Sequence, residues 1–358
     1  MSIVVDRSGP FTHGSNNVSR TMFTVLAALT PATLFNLYLF GWPAIFLFVV
    51  TMAACLASEF IAIRVGGGDP NRALGDGSVL ITGWLLALSL PPWAPWWVAV
   101  VASVFAVFLA KHAFGGLGQN VFNPAMVGRV VVLVSFPVQM TAFVPAKPLF
   151  SAGAPGFAES LHITFGRGVS LDGISAASQL GYIKTELSRG VPVTQSMAHL
   201  PDLSDMMLGF HPGSMGETAL PLILLGGLFL MARKIITWHV PVAMLGTLFV
   251  LGTVFNTLDP ARHASGWFHL ISGASFLGAF FIATDYVTSP VSKQGQLAFG
   301  IGIGLLTWII RTYAGYPEGV AFAVLLMNAL TPILDQHFRP RVFGRTRKGE
   351  PLPLKGDK

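Results

Sequence analysis

The sequence predicts an all-α integral membrane protein of about ten transmembrane helices, in two inverted five-helix repeats with one long outer loop. Three observations predict it. Of 358 residues, 53% are hydrophobic and 11% charged, against roughly 25% charged in soluble domains. The apolar residues gather into runs near the roughly 20 residues needed to cross a bilayer core. Hydrophilic residues concentrate in a single long segment, 143–218, rich in Gly, Ser and Pro.

Taken in order, residues 1–21 form a polar tail. The first apolar run, Met22 to Leu39, is too long for a signal-peptide core and has no clear cleavage pattern, so it reads as an anchor. The first repeat, 22–142, holds helices at 22–41, 43–63, 77–90, 95–111 and 124–142. Its third helix is short and stops at Pro91-Pro92. The loop 143–218 follows, read as a small folded excursion rather than a linker. The second repeat, 219–338, holds helices at 219–233, 236–257, 266–284, 296–311 and 319–337, the third of them running into TDYVTSP. A basic tail, 339–358, ends the chain.

Positive charge orients this arrangement. With the N-terminus inside, sixteen of the 22 Lys and Arg fall on inner turns, inner helix ends or the tails. Both termini are therefore expected in the cytoplasm of a bacterial cell and the long loop outside the inner membrane. The repeat itself is suggested by GSVLITGWLLALSLPP and GASFLGAFFIATDYVTSP, each followed by a helix, a Gly-rich turn and a helix opened by or containing an Asn.

Composition also excludes functions. Cys55 is the sole cysteine, so this chain alone builds neither a disulfide nor a Cys-ligated cluster, and such a centre would belong to a partner. The net charge of +6 is explained by helix-orienting loops, without nucleic acid. GIGIG (300–304) follows no strand and reads as close helix packing, while GGGDPNRALGDGS (66–78) lacks the Lys-Ser/Thr of a phosphate loop.

The densest polar cluster is KHAFGGLGQNVFNPAMVGR, 111–129. Asn123 before Pro124 reads as a helix N-cap. Asn120 is left over, and two carboxamides at an inner helix end suit the edge of a planar heterocycle. Thr82 and Asp285 come to the same level, Asp285 beside an expected helix break. Asp76 reads as solvated at the interface, and Arg129 as an ion-pair or snorkelling residue. Glu59 reads as an ion-pair partner, with a proton or cation relay as the alternative. His239 and His269 stand alone, without the spacing of a metal site. DGISAASQL, 172–180, reads by itself as a turn whose Ser175 and Ser178 bond the local backbone.

The chain resembles the D subunits of Rnf electron-transport complexes and, more distantly, the B subunits of Na⁺-translocating NADH:quinone oxidoreductases. GWLLALSLPP, GLGQNVFNPAMVGR, ATDYVTSP and the loop between helices 5 and 6 carry the resemblance. It implies an FMN joined through its phosphate to a hydroxyl in a motif resembling D-x-x-S/T-G-A-T. Asp172, Ser175, Ala177 and Ser178 match by position or type, which makes Ser178 the expected acceptor, on an exposed and wet turn. Ala176 stands where Gly is usual, and Ser178 where Thr is usual. The resemblance also implies a noncovalent riboflavin toward the cytoplasmic side, with Asn120, Asn123, Thr82 and Asp285 around it. Implied partners are the other membrane and peripheral subunits of an Rnf-type complex, including a second FMN-bearing subunit and iron–sulfur subunits, besides membrane lipid.

The functional reading is a membrane electron-carrier subunit of a redox-driven, ion-translocating ferredoxin:NAD⁺ oxidoreductase. No nicotinamide motif is present, so NADH activity is not expected of this chain alone. The rival readings are a secondary transporter or urea-channel-like solute protein, which needs no flavin, and a structural scaffold for redox partners.

Overall fold

A computed structural model describes residues 17–70, 74–166, 177–339 and 344. Among these the architecture is all-helical, and five helices are long and apolar enough to cross a membrane. The chain is a multi-pass membrane protein.

Helix α1, Val18–Val65, runs 48 residues, about 70 Å if straight. It is not straight. Gly41 takes a left-handed φ of 73° and Pro43 follows, a pair that breaks the helix where the sequence reading separates its first two spans. The Leu149 N–H donates to the Tyr38 carbonyl at 2.7 Å, so a main-chain acceptor next to the break finds a partner. The first three-turn helix after it, α2 (Ser78–Ser89), ends before Pro91 as expected.

The next span begins as α3 (Trp96–Val104) and continues as one π-turn, Phe105–Leu109. The expected helix 124–142 is two pieces, α4 (Pro124–Ser135) and α5 (Pro137–Thr141), because Pro137 lacks the N–H that would continue the ladder. The long loop is folded, as expected. It holds α6 (Phe157–Phe165), α7 (Gln179–Ser188), α8 (Val193–Met197) and α9 (Leu203–Leu208). Leu180, Ile183, Val193 and Met206 share a small core with Leu220, Phe268 and Ile271 of the bundle.

The second half holds α10 (Leu220–Ala232), α11 (His239–Leu258), α14 (Lys293–Tyr313) and α15 (Val320–His337). The expected helix 266–284 is interrupted. It forms α12 (Gly266–Ile271), a turn at Gly273 with φ 67°, then α13 (Ser275–Leu277) passing into a π-turn at Gly278–Ile282. GIGIG packs as the sequence suggests. A Cβ on Gly300 or Gly304 would lie 2.8 Å from the Val240 carbonyl or 2.6 Å from that of Met244, so α14 rides against the α11 backbone.

Candidate functional site

Helix ends and breaks converge on one cavity away from the long loop. It encloses about 800 Å³, its open mouth included. The four residues Thr82, Asn120, Asn123 and Asp285 all line it. Ile81, Leu85, Leu230, Phe280 and Phe281 supply its apolar wall.

Each polar group is held by local structure. Asn123 caps α4, its side-chain oxygen accepting from the Met126 N–H at 3.3 Å; the N-cap expectation holds. Asn120 donates to the Phe122 carbonyl at 3.2 Å. Asn120 Oδ1 and Asn123 Nδ2 have no protein partner among the described residues, and both side chains belong to the lining. Thr82 bonds back to the Ser78 carbonyl at 3.1 Å. Asp285 stands three residues after the π-turn and accepts from the Thr288 hydroxyl at 3.1 Å. Asp76 is not in the lining; it accepts from the Ser78 N–H at 2.7 Å and so starts α2.

An ion pair flanks the cavity. Lys111 Nζ lies 2.7 Å from Glu59 and donates to Ser78 Oγ at 2.8 Å, and His112 Nε2 lies 2.9 Å from the second Glu59 oxygen. Lys111 and Glu59 are both 2% exposed, so Glu59 is the ion-pair partner that the sequence allowed. Arg129 differs from expectation. Among the described residues it neither pairs with a carboxylate within 4 Å nor snorkels, but stays buried and donates to the Ser89 carbonyl at the end of α2, at 2.7 Å. A helix end offers unpaired carbonyls, which a guanidinium satisfies. His239 stacks on Trp238 with ring centroids 4.2 Å apart.

Ser178 lies far from this cavity in the fold. It is the N-cap of α7, its Oγ accepting from the Gly181 N–H at 3.2 Å. It is 6% exposed, which corrects the expected exposed turn: the capping geometry turns the hydroxyl inward over the first turn of α7. Ser178 lines a second hollow with Lys184, Thr141, Tyr313 and Pro317, of about 1060 Å³ including its wide mouth. Lys184 donates to the carbonyls of Ile310 (3.3 Å), Ala314 and Tyr316 (2.9 Å). Burial pushes its ammonium below the usual lysine range. The matched positions Asp172 and Ser175 and the departing position Ala176 lie outside the described residues, as does most of the basic tail.

The model of the NQR2, RnfD, RnfE family matches residues 5–344. Proteins named as the D subunit of an ion-translocating oxidoreductase complex are similar along nearly the whole chain. That of Stutzerimonas stutzeri is 51% identical over 94% of this chain and 95% of its own length. Those of Halorhodospira halophila and Rhodobacter capsulatus are each 48% identical, over 96% and 85% of this chain and 97% and 84% of their own. The chain belongs to the NQR2, RnfD, RnfE family.

In this NQR2, RnfD, RnfE family member the loop-bearing end holds a buried charge cluster that the sequence reading missed. Arg311 donates to the carbonyls of His269 (2.6 Å) and Ser272 (3.0 Å), to Ser275 Oγ (3.0 Å) and to Glu318 (3.0 Å). Glu318 in turn accepts from the N–H groups of Ala274, Gly319 and Val320, tying α13 to α15. Beside it Glu217, 5% exposed, accepts from Ser214 Oγ at 2.7 Å. HPGSMGET, a polar run immediately before an apolar helix, was the available signal for Glu217. His269 is buried, and its main-chain carbonyl anchors the guanidinium.

Proposed function

We propose that this chain is the membrane electron-carrier subunit of a redox-driven, ion-translocating ferredoxin:NAD⁺ oxidoreductase complex in a bacterial inner membrane. Riboflavin would occupy the cavity and FMN would be esterified to Ser178. One observation carries the reading: Thr82, Asn120, Asn123 and Asp285, from three separate stretches of sequence, line a single cavity with an apolar wall. The names of the relatives support it, since each is the D subunit of an ion-translocating oxidoreductase complex. Bound flavins would supply the electron transfer that side chains cannot.

The chain's own residues would bind and orient. Asn120 Oδ1 and Asn123 Nδ2 offer an acceptor and a donor, a pair matched to the edge of a flavin ring or to ribityl hydroxyls. Phe280, Phe281 and Leu85 would exclude water. At Ser178, the first-turn N–H groups of the ten-residue α7 favour the single negative charge of a phosphodiester. Gly181 keeps that position open, since a Cβ there would lie 3.3 Å from Ser178 Oγ.

The inverted-repeat reading extends this proposal to ten traverses with both termini cytoplasmic and α7 outside. Its support is a pair of matching contacts: Lys111, ending the span that α3 begins, reaches Ser78 at the start of α2, and Arg311, in the last turn of α14, reaches Ser275 at the start of α13. Partners would be the remaining subunits of the complex, among them a second FMN-bearing subunit and iron–sulfur subunits.

The test is mass spectrometry on the purified complex, reading the peptide that contains Ser178 for an added FMN mass, together with the riboflavin released by denaturation. The expected result is the FMN adduct in wild type and its loss in Ser178→Ala. Riboflavin should fall in an Asn120→Ala, Asn123→Ala double variant. A complex that releases no riboflavin and has an unmodified Ser178 would overturn the reading in favour of solute transport.

A further inference from the structure

A smaller hollow lies beneath α7 on the face opposite Ser178. Lys184 of α7, Arg262 and His263 after α11, His269 of α12, and Arg311 and Thr312 of α14 supply its polar lining. Every one of these side chains is basic or a hydroxyl, and among the described residues no carboxylate lines the space. Asp259 engages Arg262 at 3.7 Å from the exposed side, and Glu318 engages Arg311 through Nη2. The partners of Lys184 are carbonyls, so the hollow keeps its positive charge.

Three of these residues carry a buried nitrogen without a protein partner among the described residues: His263 Nδ1, His269 Nδ1 and Arg311 Nε. Buried polar atoms rarely stay unpaired. Arg311 Nε can only donate, and a neutral imidazole can donate from either ring nitrogen according to its tautomer. Three unpaired nitrogens on residues that line one space, with an ammonium that has no carboxylate partner, suit an acceptor with several oxygens. The space, about 410 Å³ with its open mouth included, has room for more than one water.

We propose that this hollow binds a phosphate-type oxyanion. It sits where α11 and α14 end, beside Trp267 and Tyr313, 65% and 66% exposed, aromatic residues of the kind that mark a membrane interface. The oxyanion is therefore either free phosphate or the phosphate of a phospholipid headgroup. The site does not rest on the flavin reading, because Ser178 lines the other hollow.

The experiment uses the purified complex in detergent, wild type and His263→Ala. His263 is half-buried, its ring packs against Phe255, Trp308 and Tyr313, and its Nδ1 bonds to nothing among the described residues. Its removal therefore breaks no hydrogen bond of that nitrogen, and the unfolding temperature without phosphate shows what the lost ring contacts cost. Arg262→Gln, at an exposed position, is the second variant. Unfolding temperature is followed against inorganic phosphate, with chloride at equal ionic strength as control, and retained phospholipid is counted by mass spectrometry after delipidation. For free phosphate, the expected result is a saturable rise in unfolding temperature in wild type, at least halved in both variants. For a headgroup, it is a phospholipid retained by wild type and lost from His263→Ala. Equal phosphate response and equal lipid retention in all three proteins would overturn the proposal and leave ordered water as the occupant.

Discussion

Asn328 and Asn123, 205 residues apart, meet at the junction of the two halves: Asn328 Oδ1 accepts the main-chain N–H of Asn123 at 3.1 Å. The same carboxamide donates to the Thr288 carbonyl at 3.1 Å. One side chain in the middle of α15 thereby fixes both the N-cap that opens α4 and the irregular segment after Asp285. Two walls of the cavity are set by a residue outside its lining.

Asn328→Ala removes both bonds and leaves the buried Asn123 N–H unpaired, while the Thr288 carbonyl keeps the Thr331 hydroxyl at 2.9 Å, at a cost of about 1–3 kcal/mol. The unfolding temperature of the purified complex should fall, and the riboflavin extracted per complex with it. Asn328→Asp keeps the acceptor for Asn123 but turns a buried carboxylate oxygen toward the Thr288 carbonyl, so it should be destabilised at least as much as alanine. An alanine variant as stable as wild type would show that the junction is held by other contacts.

Glu59 and Lys111 make a different prediction because both are charged and both buried. Glu59→Ala strands an ammonium beside the cavity, which costs about 3–5 kcal/mol when one partner of such a pair is removed. Replacing both, as Glu59→Gln with Lys111→Met, should recover much of that loss. A double-mutant cycle on unfolding midpoints measures the coupling directly. Additive single effects would mean that the 2.7 Å pair contributes nothing to stability.

The sequence carried the spans well where periodic apolar runs met strong punctuation. Pro91-Pro92 ended α2, Asn123-Pro124 opened α4, and the break at Gly41 fell where two spans had been separated. The interruption at Ser272-Gly273 inside the expected helix 266–284 was less legible, because the residues on either side are equally apolar. The cavity residues were readable because they are polar groups at apolar helix ends. The cluster of Arg311, Glu318 and Glu217 was not, since its members come from distant segments and each alone resembles an interfacial charge. Ser178 illustrates a third case: its residue type fits a turn and a helix cap equally well, and only the fold decides that the hydroxyl faces inward.

Arg311→Lys keeps the charge and should still fail to replace the residue. The guanidinium reaches two carbonyls, a hydroxyl and Glu318 from two nitrogens, whereas an ammonium presents one nitrogen on a flexible stem. Loss of two or more such bonds predicts about 3 kcal/mol of destabilisation. Hydrogen exchange should localise it to the start of α13 and the Glu318 turn. A lysine variant with wild-type protection at Ala274 and Gly319 would refute the account.

His211 gives the loop a pH dependence of definite sign. Its ring is buried, with Nε2 lacking a partner among the described residues and Nδ1 3.1 Å from the Pro212 carbonyl, and burial pushes its pKa below the ordinary 6.5. Near it, Gly213 packs between the His211 ring and the Glu217 carboxylate. Around and below pH 6.5 the unfolded segment binds a proton that the folded one refuses. Stability therefore rises with pH up to that value and is lost on acidification, by at most about 1.4 kcal/mol per pH unit. Hydrogen-exchange protection of residues 209–217 should drop between pH 7.5 and 5 in wild type. His211→Gln should show a smaller drop over the same range, and an identical one would remove His211 as the cause.

Gly181→Ala sets two effects against each other at the third position of α7. Alanine raises helix stability by up to about 1 kcal/mol over glycine, and Gly181 has an ordinary helical backbone, so α7 itself should gain. The added Cβ, however, would stand 3.3 Å from Ser178 Oγ and 3.5 Å from the Ala177 Cβ, on the side where the proposed phosphoester must fit. Neither neighbour is the free end of a long side chain that can swing away. The variant should therefore show greater hydrogen-exchange protection in α7 together with a lower fraction of FMN-modified Ser178 peptide. Full modification despite the added methyl would mean that the ester leaves the hydroxyl in another direction, away from the first turn of the helix.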